Sequence, residues 1–290
     1  MVYRMNDIFQ KTVWALTKQV RKGQFVPTDF EIAFSRVDGL EALQFELENH
    51  NRIQLKGRID RLDICVDEDK LYVKVIDYKS GSTKFDLVQV YQGLQLQLVV
   101  YMNAVMELEK KMHPAKEIVP GGMFYYHIDD PVIEVTEELS EAEILEEVLK
   151  KLKPSGLVNQ EERVYLSMDQ EFEKKSNVIP LEYVKSREEY KNGFSQEQFE
   201  TLSEYVNHNI VQTGNKIFAG NVEISPSMQK DQSGCDYCPY AAICGFDRKI
   251  AGFEERKLKN IDAKQVFEQM ETDNAIFRAE QKNRKDTDML

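Results

Sequence analysis

Gly57-Arg58-Ile59-Asp60-Arg61-Leu62-Asp63-Ile64-Cys65-Val66, the acidic run Asp67-Glu68-Asp69-Lys70, and Leu71-Tyr72-Val73-Lys74-Val75-Ile76-Asp77-Tyr78-Lys79 decide how this chain folds. β-Branched and aromatic residues on both sides of a short acidic run read as two strands joined by a reversal. Side chains alternate faces along a strand, so Val73, Val75, Asp77 and Lys79 share one face and Tyr72, Lys74, Ile76 and Tyr78 the other. A carboxylate and an ammonium at the end of a Val-rich face are costly to bury without partners. The four-residue turn is expected to bring Asp60 nearly level with Asp77. Two carboxylates side by side repel each other, and a divalent cation removes the repulsion. Hard oxygen ligands with a part-hydrated shell suit Mg²⁺.

A helix is expected next, with Asp86 as its N-cap. Leu87, Tyr91, Leu94, Leu98, Tyr101 and Val105 follow at steps of three and four, one apolar stripe. Gln97 is the polar intruder on the neighbouring stripe, one turn before Tyr101.

The 290 residues allow one large domain, or one domain with appendages, and a hydrophobic content of 42% is enough for a sizeable core. No run of 18 apolar residues exists, so no membrane span is expected. Asp7, Gln10 and Lys11 interrupt any signal-peptide pattern. The 4 cysteines do not resemble a disulfide framework, which points to a reducing cytoplasm. A net charge of −12 argues against a large autonomous nucleic-acid surface, and less against a site fed by a partner. Part of that acid lies in an expected surface helix from Glu137 to Glu147.

Elsewhere, Asp7 is expected to cap a helix with Phe9, Val13, Leu16 and Val20 on its buried face and Gly23 at its end. Pro27 to Phe34 reads as a strand; Glu31 in it is either a further acidic site residue or, the preferred reading, a solvent-facing side chain. Gln44 to Leu55 reads as a strand leading into Gly57, and Pro120-Gly121-Gly122 as a turn before a strand from Met123 to Ile128. His127 in that strand reads as a satisfied core histidine before a catalytic base. Ser140 to Glu143 and Ser195 to Gln198 are capping boxes, the second opening a helix with Phe199, Leu202, Val206 and Ile210 that ends near Gly214. Pro154 to Gly193 reads as an insertion with short elements. Cys235, Cys238 and Cys244 are three soft ligands within ten residues and imply a metal site, while Cys65 reads as a small core residue. Beyond Gly252 a charged tail is expected, with a helix over Asp262 to Phe277.

The ordered set Gly57-Arg58-Ile59-Asp60, Asp77-Tyr78-Lys79-Ser80 and Gln97-Leu98-Val99-Val100-Tyr101, on strand, strand and helix, resembles the motifs of PD-(D/E)XK nucleases of the RecB type. Followed by the cysteine run, and joined by Phe124 to Pro131, Ser155 to Val158 and Val222 to Pro226, it resembles the C-terminal nuclease domain of the B subunit of AddAB-type (RexAB-type) helicase–nucleases. The resemblance implies an α/β fold, with a restriction-endonuclease-like central mixed sheet flanked by helices, a helical insertion and a C-terminal cysteine loop. It implies a nuclease domain over 1–250, with the insertion at about 139–215 and the cysteine cluster at 234–247, then a charged helix or tail over 251–290.

The implied activity is Mg²⁺-dependent exonuclease cleavage of single strands unwound from duplex DNA, in a double-strand-break-processing complex with a helicase–nuclease A subunit. Asp60, Asp77 and the Tyr78 carbonyl would hold the metal, Lys79 would orient water or stabilise phosphorane charge, and Gln97 and Tyr101 would position the phosphate or the metal shell. The resemblance also implies a [4Fe–4S] cluster on Cys235, Cys238, Cys244 and a fourth cysteine upstream of the first helix. No cysteine stands there, so a fragment of a longer subunit with an incomplete cluster is expected. Arg58 and Arg61 read as phosphate contacts or as solvated hairpin charges, and Asp63 as the partner of a nearby arginine. Two other readings stay open: a non-catalytic docking module with a structural metal–cysteine site, and a stand-alone nuclease of the CRISPR-adaptation type.

Overall fold

The structure is a computed structural model that describes residues 2–34, 43–81, 83–133, 139–229, 232–258 and 261–288. Helix α1 (Val2–Arg21) leads into β1 (Val26–Phe34), a small hairpin of β2 (Gln44–Glu46) and β3 (Arg52–Gln54), and the long hairpin of β4 (Gly57–Asp67) and β5 (Lys70–Lys79). Helices α2 (Leu87–Tyr91) and α3 (Gln97–Met112) precede β6 (Glu117–His127), α4 (Glu141–Lys151), β7 (Ser155–Asn159) and α5 (Glu162–Met168). The hairpin of β8 (Glu182–Val184) and β9 (Glu189–Lys191) is followed by β10 (Gly193–Phe194) and the long α6 (Gln196–Phe218). Short elements come last, β11 (Ser227–Gln229), β12 (Gln232–Ser233), α7 (Ala241–Cys244) and β13 (Arg256–Lys257), with helix α8 (Ala263–Asp288) after them.

The fold is α/β, as expected. Its centre is a six-stranded mixed sheet in the order β1-β4-β5-β6-β7-β10. The β5–β6 and β7–β10 pairs are parallel and the other three antiparallel. Both faces are covered. On one, Leu62, Val73, Val75 and Met123 pack with Leu98 and Val105 of α3 and Leu202 and Val206 of α6. On the other, Tyr72, Ile76, Phe124 and Tyr126 pack with Val164 and Leu181. Burial on both faces explains why β5 and β6 are apolar along most of their length.

Several elements differ from the sequence expectation. Helix α1 begins at Val2, so Asp7 lies inside it. Its buried side carries Thr12 and Ala15, whereas Phe9 and Val13 are exposed. The small Ala15 side chain packs against Leu149 and Leu152, a closer approach than a larger residue would allow. Gln44 to Leu55 is two strands around a turn at Glu48–His50, where His50 takes a positive φ of 58°.

The helix from Leu87 is two helices. Asp86 caps the first by accepting from the amides of Val88 and Gln89, a contact worth about 1 kcal/mol. Gly93 (φ 78°) ends it: the Gly93 amide donates to the Val90 carbonyl and the Leu94 amide to the Gln89 carbonyl. This is a Schellman motif, and it resets the direction of the chain before Gln97.

Pro120, Gly121 and Gly122 form no turn; they lie inside β6. The β5–β6 register shifts there, between Val73 and Lys74, where proline's missing donor leaves the ladder irregular. A Cβ on Gly121 would fall 2.9 Å from the Phe25 ring, and one on Gly122 2.9 Å from the Leu157 carbonyl, so the close packing requires glycine.

Both capping boxes form. Helix α6 runs past Gly214 to Phe218, because Gly214 lies against Leu47, where a Cβ would come within 2.8 Å. The stretch 139–215, expected as an insertion, carries α4 to α6 and two strands of the main sheet. The charged tail is a docked helix: Val266, Met270 and Asn274 of α8 are fully buried, and Arg278 makes a two-pronged pair with Glu204 of α6 at 2.6 and 2.5 Å. Glu137 of the expected acidic helix lies outside the described residues.

Candidate active site

The β4–β5 register pairs Asp67 with Lys70 and runs unbroken to Arg61 opposite Ile76. One step further the same register would set Asp60 across from Asp77. The ladder is replaced there by a side chain, since the Tyr78 amide donates to Oδ2 of Asp60 at 2.8 Å. Gly57, at the start of the same strand, lies opposite Phe34, whose ring occupies the space a Cβ would need. That ring packs edge-on to Tyr101 at 5.7 Å, so the glycine of the first motif helps to seat the tyrosine of the third.

Asp77 is buried on the face that α3 covers. The Lys79 ammonium lies 2.6 Å from its Oδ2, yet that oxygen has no hydrogen-bond partner of acceptable angle among the described residues. Burial raises the Asp77 pKa, the Lys79 ammonium opposes the rise, and the charge of Asp60 adds to it. The net direction is upward, so the pocket disfavours the bare carboxylate it holds.

Lys79 Nζ donates to Gln97 Oε1 at 2.9 Å, and Gln97 Nε2 donates to the Tyr101 hydroxyl at 2.7 Å. Gln97 is the first residue of α3, and Tyr101 lies one turn on. The sequence-predicted residues Asp77, Lys79, Gln97 and Tyr101 are therefore joined in one chain of contacts, with Asp60 beside it. The Schellman turn at Gly93 allows this, because it lets α3 start at Gln97. A glutamine relay steadies the same turn: Gln95 Nε2 donates to the Lys84 carbonyl and to Gln89, and Gln89 Nε2 donates to Gln229.

Sequence reasoning missed Tyr125. Its place beside Asp77 depends on the β5–β6 parallel pairing, which pairs those two residues. The Lys79 ammonium stands 5.1 Å from the Tyr125 ring centre, a cation–π contact. The phenol pKa is pushed up to about 12 by burial, then by the charge of Asp77 and by Tyr101.

The opposite face of the hairpin answers the remaining expectations. Asp63 binds Arg61 through both oxygens, at 2.5 and 2.6 Å, and Lys74 at 2.8 Å, all within the core. Arg61 is thus no phosphate contact: it is buried, and its guanidinium also donates to the Tyr78 hydroxyl at 3.3 Å. Arg58 pairs with Glu31 at 2.7 Å on the surface, so Glu31 takes no part in the carboxylate face. Cys65 is buried among Tyr72 and Phe25.

Two implied groups can be set against these residues. A hard divalent cation fits the Asp60–Asp77 face, since the buried Asp77 carboxylate has one lysine against it and feels the charge of Asp60, and the Tyr78 carbonyl belongs to the same strand. The iron–sulfur cluster finds no assembled ligand set among the described residues. Cys235, Cys238 and Cys244 are half-buried, and the described residues contain no group of three His, Cys, Asp or Glu side chains placed to hold a metal. A cavity of about 510 Å³ between α3 and α6 is lined by Met102, Met106, Met123 and Phe199 and includes none of the five predicted residues. The carboxylate face is therefore separate from that apolar cavity.

The chain is 39% identical over 273 residues to a protein named as the B subunit of an ATP-dependent helicase/deoxyribonuclease, from Alkaliphilus metalliredigens, covering 93% of this chain and 24% of that one. Proteins of the same name from Alkaliphilus oremlandii and Lachnoclostridium phytofermentans are each 37% identical, over 94% of this chain and 24% and 23% of theirs. The chain thus spans about a quarter of the length of these relatives. Residues 1–245 match the PD-(D/E)XK nuclease superfamily, and with two acids and a lysine on adjoining strands of a mixed sheet, the chain belongs to that superfamily.

Proposed function

We propose that this chain is a Mg²⁺-dependent deoxyribonuclease domain that degrades single strands delivered by a helicase partner, as part of a helicase–nuclease that processes double-strand breaks. The observation that carries the reading is the buried Asp77 carboxylate, with Lys79 against it and the charge of Asp60 acting on it. The name shared by the relatives, one subunit of a helicase/deoxyribonuclease, supports DNA as substrate and a further subunit as partner. The described residues contain no helix long and apolar enough to cross a membrane, and the free thiols suit a reducing cytoplasm.

Asp60, Asp77 and the Tyr78 carbonyl would hold Mg²⁺, which supplies Lewis acidity toward a phosphodiester oxygen. The chain's own part is placement. Lys79 brings a positive charge to the point where phosphorane charge develops, and Gln97 fixes its direction by accepting from it. Tyr101, held by Gln97 and by the Phe34 ring, closes the far side of the site. Hydrolysis breaks one P–O bond and adds one water, and Lys79 is placed to orient that water. The cysteine lobe is given no step. An intact acid–acid–lysine set argues against a docking module that has lost catalysis.

The test is cleavage of an end-labelled single-stranded oligonucleotide by this chain with and without Mg²⁺. Cleavage that needs Mg²⁺ and falls by at least about 100-fold in Lys79→Ala is expected. Cleavage that survives in Lys79→Ala, or never depends on Mg²⁺, would overturn the proposal.

A further inference from the structure

We propose that His127 is a positioning residue that pins the chain just beyond Lys79 and so fixes where the ammonium stands. The inference deepens the nuclease reading above and rests on it. Lys79 is the last residue of β5, where a strand ordinarily frays. Its side chain has four rotatable bonds, and a charge on such a stem is placed only as well as its backbone is held.

Two contacts from the end of β6 and the residue after it hold that backbone. The Ile128 amide donates to the Lys79 carbonyl at 3.0 Å. His127 Nδ1 lies 2.6 Å from the Gly81 carbonyl. A carbonyl only accepts, so Nδ1 carries the proton and donates. The two strands are parallel and Lys79 is paired with His127, so the imidazole belongs to the same face as Asp77 and Lys79. Tyr125, two residues back on that face, supplies the ring over which the ammonium rests. His127 thus holds the chain beyond Lys79, while Gln97 holds the ammonium itself. Its Nε2 is buried and lacks a partner among the described residues, so the Gly81 bond is the ring's polar contact there. The segment it ties is short and polar and has no burial of its own to hold it, since Ser80 and Gly81 are not buried.

The test uses this chain with Mg²⁺ and a labelled single-stranded oligonucleotide. His127→Asn keeps a donor near the Nδ1 position, His127→Gln moves it outward, and His127→Leu removes it. At saturating Mg²⁺ the turnover of His127→Leu and His127→Gln should fall about tenfold or more, and that of His127→Asn should stay within about threefold of wild type, with KM little changed in all. Loss that follows melting temperature instead of the donor would make His127 a core histidine only and overturn the proposal. So would equal turnover in the Asn and Gln variants, a comparison that remains if His127→Leu does not fold. Amide hydrogen exchange at Ile128 separates this proposal from the nuclease reading. It should quicken in the Gln variant and not in the Asn variant even if the wild-type chain cleaves nothing, a result that would sink the nuclease reading alone. Equal exchange in the two variants would overturn the pin.

Discussion

The β4–β5 hairpin carries an acid–base group on each face, and the two have opposite character. On the inner face Asp63 receives Arg61 through both oxygens and Lys74 as well, so two cations serve one carboxylate. On the α3 face the Asp77 carboxylate has a single cation, Lys79, against it, and the charge of Asp60 acts on it as well. The pKa directions follow. Burial pushes Asp63 up, but Lys74 and Arg61 outweigh it and hold the carboxyl below its ordinary value. Burial pushes Asp77 up, and Lys79 alone does not reverse it against Asp60. A saturated network holds a fold together, whereas an under-neutralised one is poised for an added cation.

The largest expected effect breaks the inner group. Asp63→Asn leaves Arg61 and Lys74 buried without a charge partner and should cost about 3–5 kcal/mol in urea melts at neutral pH. Asp77→Asn relieves an unfavourable buried charge and should change stability by less than about 1 kcal/mol, or raise it, while abolishing cleavage. Equal destabilisation by both would erase the distinction drawn here.

The lysines should divide in the same way. Lys79→Ala should lose at least about 100-fold in cleavage with little change in melting temperature. Lys74→Ala should lower the melting temperature and leave cleavage per folded molecule intact. Cleavage lost in both variants at equal folded fraction would show that the inner group also acts in the reaction.

The pH dependence has opposite signs for the two acids. The Asp63 pKa is depressed on folding, so its contribution is present above the ordinary value of 3.8 and is lost as pH falls through the folded value. The Asp77 pKa is raised, so its contribution is present below 3.8 and is lost as pH rises through the folded value. In melts from acid to neutral pH, wild type should lose stability relative to Asp77→Asn as pH rises, and gain stability relative to Asp63→Asn. Differences that run in the same direction would contradict the assignment.

The smallest effect concerns the turn before Gln97. Gly93→Ala puts a side chain at a positive φ, with its Cβ 3.3 Å from Asn209, and should cost about 1 kcal/mol. If that turn sets the start of α3, cleavage should fall more than stability explains. A purely thermal effect would limit Gly93 to capping.

What was legible in the sequence was local and countable. A turn of fixed length sets the hairpin register, so Asp60 and Asp77 could be matched by counting, and Arg61 and Asp63 at i and i+2 share a face for the same reason. The placement of Gln97 and Tyr101 was legible too, although the helix was read through the break that Gly93 makes. Pro120 was misread because proline signals a turn unless a register shift against the neighbouring strand accommodates it, and that shift has no local sign. Tyr125 escaped notice as a neighbour of Asp77, and His127 was read first as a core histidine, because their neighbours are fixed by a parallel crossover pairing. A helix over Asp262 to Phe277 was legible, but not its docking, because among its described residues Val266, Phe267, Met270 and Asn274 mark a narrow buried stripe among many charges.

The measurement that reaches the central claim most directly is anomalous diffraction from crystals of this chain soaked in Mn²⁺. A single strong peak is predicted within about 2.2 Å of a carboxylate oxygen from both Asp60 and Asp77, and none in Asp77→Asn. Mn²⁺ at some other position, with Asp60 and Asp77 still engaged only by the Tyr78 amide and Lys79, would contradict the account.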